Sequence, residues 1–527
     1  MKATYINYRD TNNFSPEVLR YLDQDPELSP FISFQPNIDG FSRLLANKTV
    51  IADREVLVNV LNKQYTGYQS PLVAENIKLL KSENTFTVTT GHQLNLFTGP
   101  LYFIFKIVTA INLSRELKTS FPDRNFVPVY WMATEDHDFE EINHTYIGGK
   151  KISWNPEVKG ATGKISTINI DSVIKEYNGV LGISEFAEQL ALIIGTAYQE
   201  HTNLADATRY LANALFENYG LVIIDADHPE LKEQFKGIIA EDIIQRNSFR
   251  NINSTVEKLE SLGIHAQVNS REINFFYLTD GFRERLVFEN GRYQVLNSEV
   301  SFSEEELKIE IDRYPERFSP NVVMRPLYQE VILPNIAYVG GGAEVVYWLE
   351  LKENFDHYQV DFPILILRNS AMLGGRKLDQ AFKKLSLSPP DLFKSVEELK
   401  KHWVLKHSAH TLNLAAEWQE LECIFEKMKL RAYKIDPTLS ASAEAVKARL
   451  ERAIINLEKK LIKAEKRNYS DSLIDIDNLK NHLFPNGGLQ ERSENFGLYY
   501  VQYGDTFIES LIAAFKPLDF KFTILQP

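Results

Sequence analysis

Between Glu135 and His144 the chain places five carboxylates and two histidines within ten residues. Groups crowded in this way repel one another unless a ligand, a metal or a proton relieves the charge, and shifted pKa values of that kind are what acid–base chemistry requires. Glu135, Asp136 and Asp138 are the candidate proton acceptors and His137 the candidate for orienting or relaying a proton, with Asn143 and His144 beside them as binding groups. Spacing does not say which carboxylate takes which role. The crowding predicts that Asp136→Asn or His137→Ala lowers turnover while thermal stability holds or rises. Asp136, His137, Asp138 and His144 could also ligate a metal, but their spacing matches no standard zinc signature, so no metal held by the protein is expected.

A second run, TTGHQLNLFTGP from Thr89 to Pro100, has different chemistry. Its small residues, hydroxyls and imidazole let backbone N–H groups turn toward an anion, and Pro100 suits the first position of a helix whose N-terminus is partly positive. Thr90, Gly91, His92, Gln93, Thr98 and Gly99 are the candidate anion or phosphate ligands. Further on, Gly340, Gly341 and Gly342 permit close backbone approach to a ligand and lead to Glu344, either a binding group or a charge favoured in a first helical turn. Arg325 and Gln329, four residues apart, share a helical face as a carboxylate or phosphate clamp or as an ordinary surface pair. Asp225, Asp227 and His228 follow a buried apolar run and border the same region, although Asp227 is equally a helix cap.

Both long runs follow stretches rich in β-branched and aromatic residues, 85–90 and 126–133, separated by a helical pattern from Pro100 to about Leu117. That is one βαβ unit, the nucleus of an α/β fold with a parallel sheet, and it sets both loops at the carboxyl ends of strands, where such sheets bind ligands. Residues 221–225 and 363–367 read as further buried strands, 337–339 as a short apolar stretch and 345–355 as one amphipathic helix. The expected body covers residues 1–394, with a helical lead-in over 1–83 and insertions near 146–220 and 250–320. The first insertion opens with a β-rich, glycine-punctuated stretch and the second holds a hairpin of 273–278 with 285–288.

From residue 395 to about 470 the apolar residues take heptad spacing. Leu414, Trp418, Leu421, Phe425 and Met428 form one seam and Leu450, Ile454, Leu457, Leu461 and Ala464 another, broken at Asp436-Pro437, which predicts an antiparallel coiled-coil arm. Residues 471–527 then return to the body. A net charge of −13 without a Lys or Arg stripe argues against nucleic acid, so an anionic substrate must be met by a local basic cluster. One cysteine, Cys423, excludes an intrachain disulfide, fits a reducing cytoplasm and, lying off the heptad seam, reads as structural. No stretch reaches the roughly 18 apolar residues of a membrane span, and the first residues lack the apolar core of a signal peptide.

TTGHQLNLFTGPLYFIFK, VPVYWMATEDHDFEEINH and SPNVVMRPLYQEVILPNIAYVGGGAEVVYWLELK, with LQER near the C-terminus, together resemble the bacillithiol biosynthesis cysteine-adding enzyme family. The resemblance implies a Rossmann-like core akin to nucleotidyltransferases, inserted connecting segments and a C-terminal antiparallel helical coiled-coil arm used for homodimerisation. It also implies a ligase that adds L-cysteine to glucosaminyl malate in the last step of bacillithiol biosynthesis. Amide formation from a free carboxylate is uphill in water, so ATP with Mg²⁺ is the simplest cosubstrate, acting through an acyl phosphate or adenylate, and no tightly bound cofactor is expected. One of Glu135, Asp136 and Asp138 then takes the proton of the attacking amine, while Arg325 and Gln329 hold the malate carboxylates. TGHQ lacks the full two-histidine signature of the nucleotidyltransferases. A metal-dependent hydrolase using the acidic loop and a coiled-coil scaffold without catalysis are the rival readings, and the role of the segment around Gln490 and Arg492 stays open.

Overall fold

The computed structural model describes residues 1–526, and all their side chains except those of 376–379 and 381. Five apolar runs form five parallel strands, Thr85–His92, Asn125–Met132, Val222–Asp225, Asn335–Gly340 and Ile364–Leu367. Numbered along the chain they lie in the order 5-4-1-2-3 across the sheet, which read from the other edge is the doubly wound order of a Rossmann-like fold. The order reverses between Thr85–His92 and Asn335–Gly340, and ligands of such sheets bind in the crevice beyond that point.

Phe86 and Val88 of the first strand meet Phe126, Val339 and Ile366 of its neighbours and Ala110, Leu113 and Leu117 of the helix Tyr102–Ser120. Each such fully buried side chain contributes about 1.5–3 kcal/mol. The alternate positions are Thr85, Thr87 and Thr89, all fully buried. Buried hydroxyls must find partners, and those of Thr87 and Thr89 donate to Asn335 Oδ1 at 3.0 and 2.8 Å. Asn335 in turn donates to Glu330 at 2.7 Å. Burial pushes the Glu330 carboxyl up to about 7, against the nearby Lys48 charge and these hydrogen bonds.

Several elements depart from the sequence expectation. The lead-in starts with a strand, Lys2–Asn7, not a helix, because it pairs with the chain's last strand, Lys521–Gln526, which also pairs with Ala371–Leu373. The β content of the first insertion is one hairpin, His144–Ile147 with Lys150–Ser153. The second insertion holds more than a hairpin: Phe275–Thr279 and Phe282–Glu289 are joined by Arg292–Val295, Ser301–Phe302 and Phe318–Pro320 in a five-stranded sheet. The helix expected over 345–355 is two, Gly342–Leu349 and Lys352–His357. Pro100 lies before the helix it was expected to open and pairs with Asn495 in an isolated bridge.

The chain forms two compact units, one of Ala3–Met372 with Gly488–Leu525 and the other of Leu373–Gly487, wider than the expected 395–470. In the second unit the helices Ala415–Ile435 and Leu439–Asn468 form the expected antiparallel hairpin, turning at Asp436-Pro437. Lys447 bridges it to Glu422 and Glu426 at 2.7 and 3.1 Å. Leu414, Trp418, Leu421 and Phe425 are half-buried along the hairpin, whereas Met428 and Leu457 stay 54% and 49% exposed.

Candidate functional site

All five parallel strands deliver residues from their carboxyl ends to one cavity of about 810 Å³, a size that takes a small-molecule ligand. Gly91 and His92 come from the first strand, Thr134 to His137 follow the second, Ala226 the third, Gly341 to Glu344 the fourth and Arg368 the fifth. Further wall residues include Arg271, Phe276, Arg283 and Arg285 of the second insertion and Arg492 from the C-terminal segment. Gly91 is small for a reason: a Cβ there would lie 3.3 Å from the Tyr338 hydroxyl and 3.7 Å from Arg325 Nη1.

In a chain of net charge −13 the cavity gathers seven cations, Lys106, Arg271, Arg283, Arg285, Arg325, Arg368 and Arg492, against three carboxylates. Lys106 is buried and pairs with Glu344 at 2.5 Å while donating to Gly91 O at 2.9 Å. Glu344 also accepts the Tyr338 hydroxyl and the Gly341 N–H, each at 2.7 Å. Burial alone would raise its pKa, but Lys106 and these hydrogen bonds outweigh burial and hold it below the usual range. Arg325 lies over the rings of Trp131 and Tyr338, 5.9 and 5.6 Å from their centroids. Among the described residues no carboxylate comes within ion-pair distance of Arg271, Arg285, Arg325 or Arg492. Unpaired guanidinium groups around a cavity fit an anion, above all a carboxylate or phosphate that takes two hydrogen bonds at once.

The two histidines differ in what they offer. Burial, followed by the positive charges of Lys106 and Arg368, lowers His92 to about 3, so its imidazole is neutral, and among the described residues its Nε2 has no hydrogen-bond partner. His137 Nδ1 lies 2.6 Å from Arg283 Nη1 and 3.7 Å from Asp136 Oδ1. A guanidinium only donates, so Nδ1 accepts and the ring carries its proton on Nε2. His137 therefore presents a donor.

The carboxylates are not crowded as their sequence spacing implied. Asp136 accepts Gln93 Nε2 and the His137 N–H, both at 2.7 Å. Burial raises its pKa, but hydrogen bonds from Gln93 and the His137 backbone N–H and the Arg283 charge hold it well below the carboxylate range. Its negative charge is stabilised by the fold, so neutralising it removes stability, the reverse of the expectation from crowding. Glu135 Oε1 pairs with the fully buried Lys232 at 2.5 Å. Burial pushes Glu135 up and Lys232 opposes it, and among the described residues no donor reaches its Oε2.

Gly91, His92, Gln93, Glu135, Asp136, His137, Arg325, Gly341, Gly342 and Glu344 line the cavity, and the other expected ligands do not. Thr90 is a buried strand residue whose hydroxyl donates to Val339 O at 2.8 Å. Thr98 and Gly99 lie in a buried left-handed turn, with φ of 50°, 70° and 64° at Phe97, Thr98 and Gly99. Asn495 closes that turn by donating to Phe97 O and Gly99 O at 2.9 and 2.7 Å, so these carbonyls are used inside the protein. Asp138 caps the short helix Phe139–Ile142 by accepting the Glu141 N–H at 3.4 Å. Asn143 donates to Asn155 at 3.0 Å, and His144, 3.0 Å from Asn143 Oδ1, starts the hairpin. Gln329 is fully buried and accepts from Arg325 Nη1 at 3.1 Å, supporting the arginine from behind. Gly340 ends the fourth strand. Of the loop after the third strand only Ala226 reaches the cavity; Asp225, accepting from Thr134 at 2.5 Å, is raised to about 6 by burial and by Asp227, and neither Asp227 nor His228 lines the wall. Among the described residues no three His, Cys, Asp or Glu side chains converge as a metal-holding group.

Comparison with known proteins places this geometry. Residues 1–369 match the family model described as bacillithiol biosynthesis BshC, N-terminal Rossmann-like domain, and residues 371–527 the one described as bacillithiol biosynthesis BshC, C-terminal coiled-coil domain. The chain belongs to the BshC family. It is 45% identical to a protein of Flavobacterium psychrophilum and 44% identical to one of Flavobacterium johnsoniae, over 100% of each chain. A third, from Cytophaga hutchinsonii, is 37% identical over 98% of this chain and 97% of its own. All three are named "Putative cysteine ligase BshC".

Sequence reasoning overlooked several residues of this BshC-family cavity that do carry a signal. Lys106 is a lone cation inside the apolar helix run YFIFKIV. Arg368 follows the buried strand ILIL directly, which sets a charge at a carboxyl edge. Arg283 and Arg285 are two apart on one strand and so share a face.

Proposed function

We propose that the chain is a cysteine ligase that joins the carboxyl of L-cysteine to the amine of glucosaminyl malate, forming the amide of bacillithiol. The observation that carries this reading is the set of unpaired arginines around a cavity at the reversal of strand order, in a chain otherwise strongly acidic. Glucosaminyl malate brings two carboxylates, which Arg325, Arg271 and Arg285 are suited to hold. ATP with Mg²⁺ supplies the activation as a cosubstrate, while Arg368 beside the Gly341 to Ala343 turn, at the start of the helix Gly342–Leu349, completes the hold on a malate carboxylate.

Glu135 is the proton acceptor for the attacking amine. Of the three candidate carboxylates it lines the cavity with a raised pKa, whereas Asp136 holds its charge too firmly and Asp138 is a helix cap. His137 donates from Nε2 to the oxygen that gains charge as the tetrahedral centre forms, and Asp136 with Gln93 fixes the loop that carries both. The exposed Cys423 lies in the helix Ala415–Ile435, outside the cavity wall, so the thiol of the product comes from substrate cysteine. No helix of the described residues is long and apolar enough to cross a membrane; with a single cysteine in the chain, we place the reaction in the cytoplasm. Purified protein incubated with cysteine, glucosaminyl malate and ATP is expected to yield a product of the amide's mass, and to yield none when any one component is omitted. Absence of that mass from the complete mixture would sink the proposal.

The arm is proposed to join two copies of the chain. Met428 and Leu457 remain exposed on the hairpin, and apolar stripes of this kind are covered in coiled-coil assemblies. Leu421 is half-buried along the hairpin, so its replacement would disturb the hairpin itself. Met428→Glu combined with Leu457→Glu is therefore the cleaner variant: light scattering should report half the wild-type mass, and an unchanged dimer mass rules this interface out.

A further inference from the structure

We infer that Glu491 is a positioning residue for the anion site, holding one edge of the Arg368 guanidinium so that its other edge faces the cavity. Glu491 is fully buried and does not line the cavity. Its Oε1 receives Arg368 Nη1 at 2.8 Å and the Ser370 hydroxyl at 2.9 Å, and its Oε2 receives the Ala371 N–H at 2.8 Å. Arg368 Nη1 also donates to Asn369 O and Ser370 Oγ at 3.3 and 3.2 Å. These contacts all fall on one nitrogen. Nε lies on the cavity side, 3.9 Å from where a side chain on Gly341 would begin, and the guanidinium carbon is 5.3 Å from the Tyr102 ring centroid. Glu491 thus occupies one edge of a planar fork whose pairing geometry is fixed, and the remaining edge is aimed at the glycine turn. The same short turn, Gln490–Arg492, carries Arg492 into the cavity wall. The anion site is therefore completed by a segment that follows the helical unit in the chain.

The inference rests on the reading of the cavity as an anion site. Its sign separates it from a plain electrostatic effect. Removing a carboxylate beside an arginine strengthens anion binding by long-range attraction, so weaker binding must come from lost aim. The test is a double-mutant cycle in the full-length chain, with L-malate as the probe and calorimetry as the readout. Glu491→Gln and Arg368→Gln should each weaken malate binding by about 10- to 100-fold, and the double variant should bind no more weakly than Arg368→Gln alone, because both act through one contact. The double variant keeps a neutral, hydrogen-bonded pair at the buried position and so guards against loss of folding. Glu491→Asp keeps the charge but shortens the reach, and should weaken malate by about 3- to 10-fold with little change in melting temperature. In turnover the loss should fall on KM for the malate-bearing substrate and not on kcat. Unchanged or tighter malate binding in Glu491→Gln or Glu491→Asp, or losses that multiply in the double variant, would overturn the positioning role alone. Absence of malate binding by the wild-type chain would overturn the anion site and this inference with it.

Discussion

Turnover by Glu135→Gln is expected to fall by about 100- to 10,000-fold, the span associated with losing general acid–base assistance. The same change leaves Lys232 without its counter-ion in a fully buried position, and breaking a buried pair from one side costs about 3–5 kcal/mol. Activity and melting temperature therefore fall together, and either could be taken as the cause of the other. The variant Glu135→Gln/Lys232→Met separates them. Removing both charges leaves a neutral pair next to the Tyr328 ring, which Lys232 now faces at 5.3 Å, so most of the stability lost by stranding a buried charge should return. Turnover should not return with it. A double variant that regains both melting temperature and product formation would reduce Glu135 to a structural partner of Lys232.

Asp136→Asn is expected to lose stability at neutral pH as well as turnover, the latter by about 100-fold because the loop carrying Glu135 and His137 loses its anchor. The folded chain holds the Asp136 pKa below its ordinary value, so its contribution is fully present above the unfolded carboxyl value of about 3.9. It fades as pH falls below that value and through the lower folded one. The melting temperatures of wild type and variant should thus lie well apart at pH 7 and converge toward pH 2. A gap that stays constant across this range would mean that Asp136 acts through hydrogen bonding alone, with its charge irrelevant.

The parallel sheet was legible because its signals are local. Alternation of Phe86 and Val88 with three threonines, and the unbroken ILIL of Ile364–Leu367, announce buried strands wherever they occur. The loops that follow could be placed at carboxyl ends for the same reason. What could not be read was which way a charged side chain turns, because its partner is far along the chain. Asp136 is relieved by Gln93 and Arg283, and Glu135 by Lys232, whereas charge density in sequence counts only neighbours. The turn at Phe97 to Gly99 looked like an open cradle; Asn495, 398 residues after Phe97, fills it. The arginines of the second insertion reach the cavity through antiparallel pairing of Phe275–Thr279 with Phe282–Glu289 and Phe318–Pro320, a register that helix and strand periodicities do not encode.

The C-terminal segment also sets a timetable for synthesis. Ser370 and Glu491, which share a hydrogen bond, are 121 residues apart in the chain, so at about 5–20 residues per second a ribosome takes roughly 6–24 s to deliver the acid after the serine. Lys521–Gln526 is the central strand of the three-stranded sheet that also holds Lys2–Asn7. Lys2–Asn7 therefore waits for Lys521–Gln526, and the cavity has no buried anchor for Arg368 and no Arg492 until Gln490–Arg492 has been made. A chain truncated anywhere in the helical unit lacks Glu491 and Arg492, so capture of an anion reports that synthesis has passed that unit.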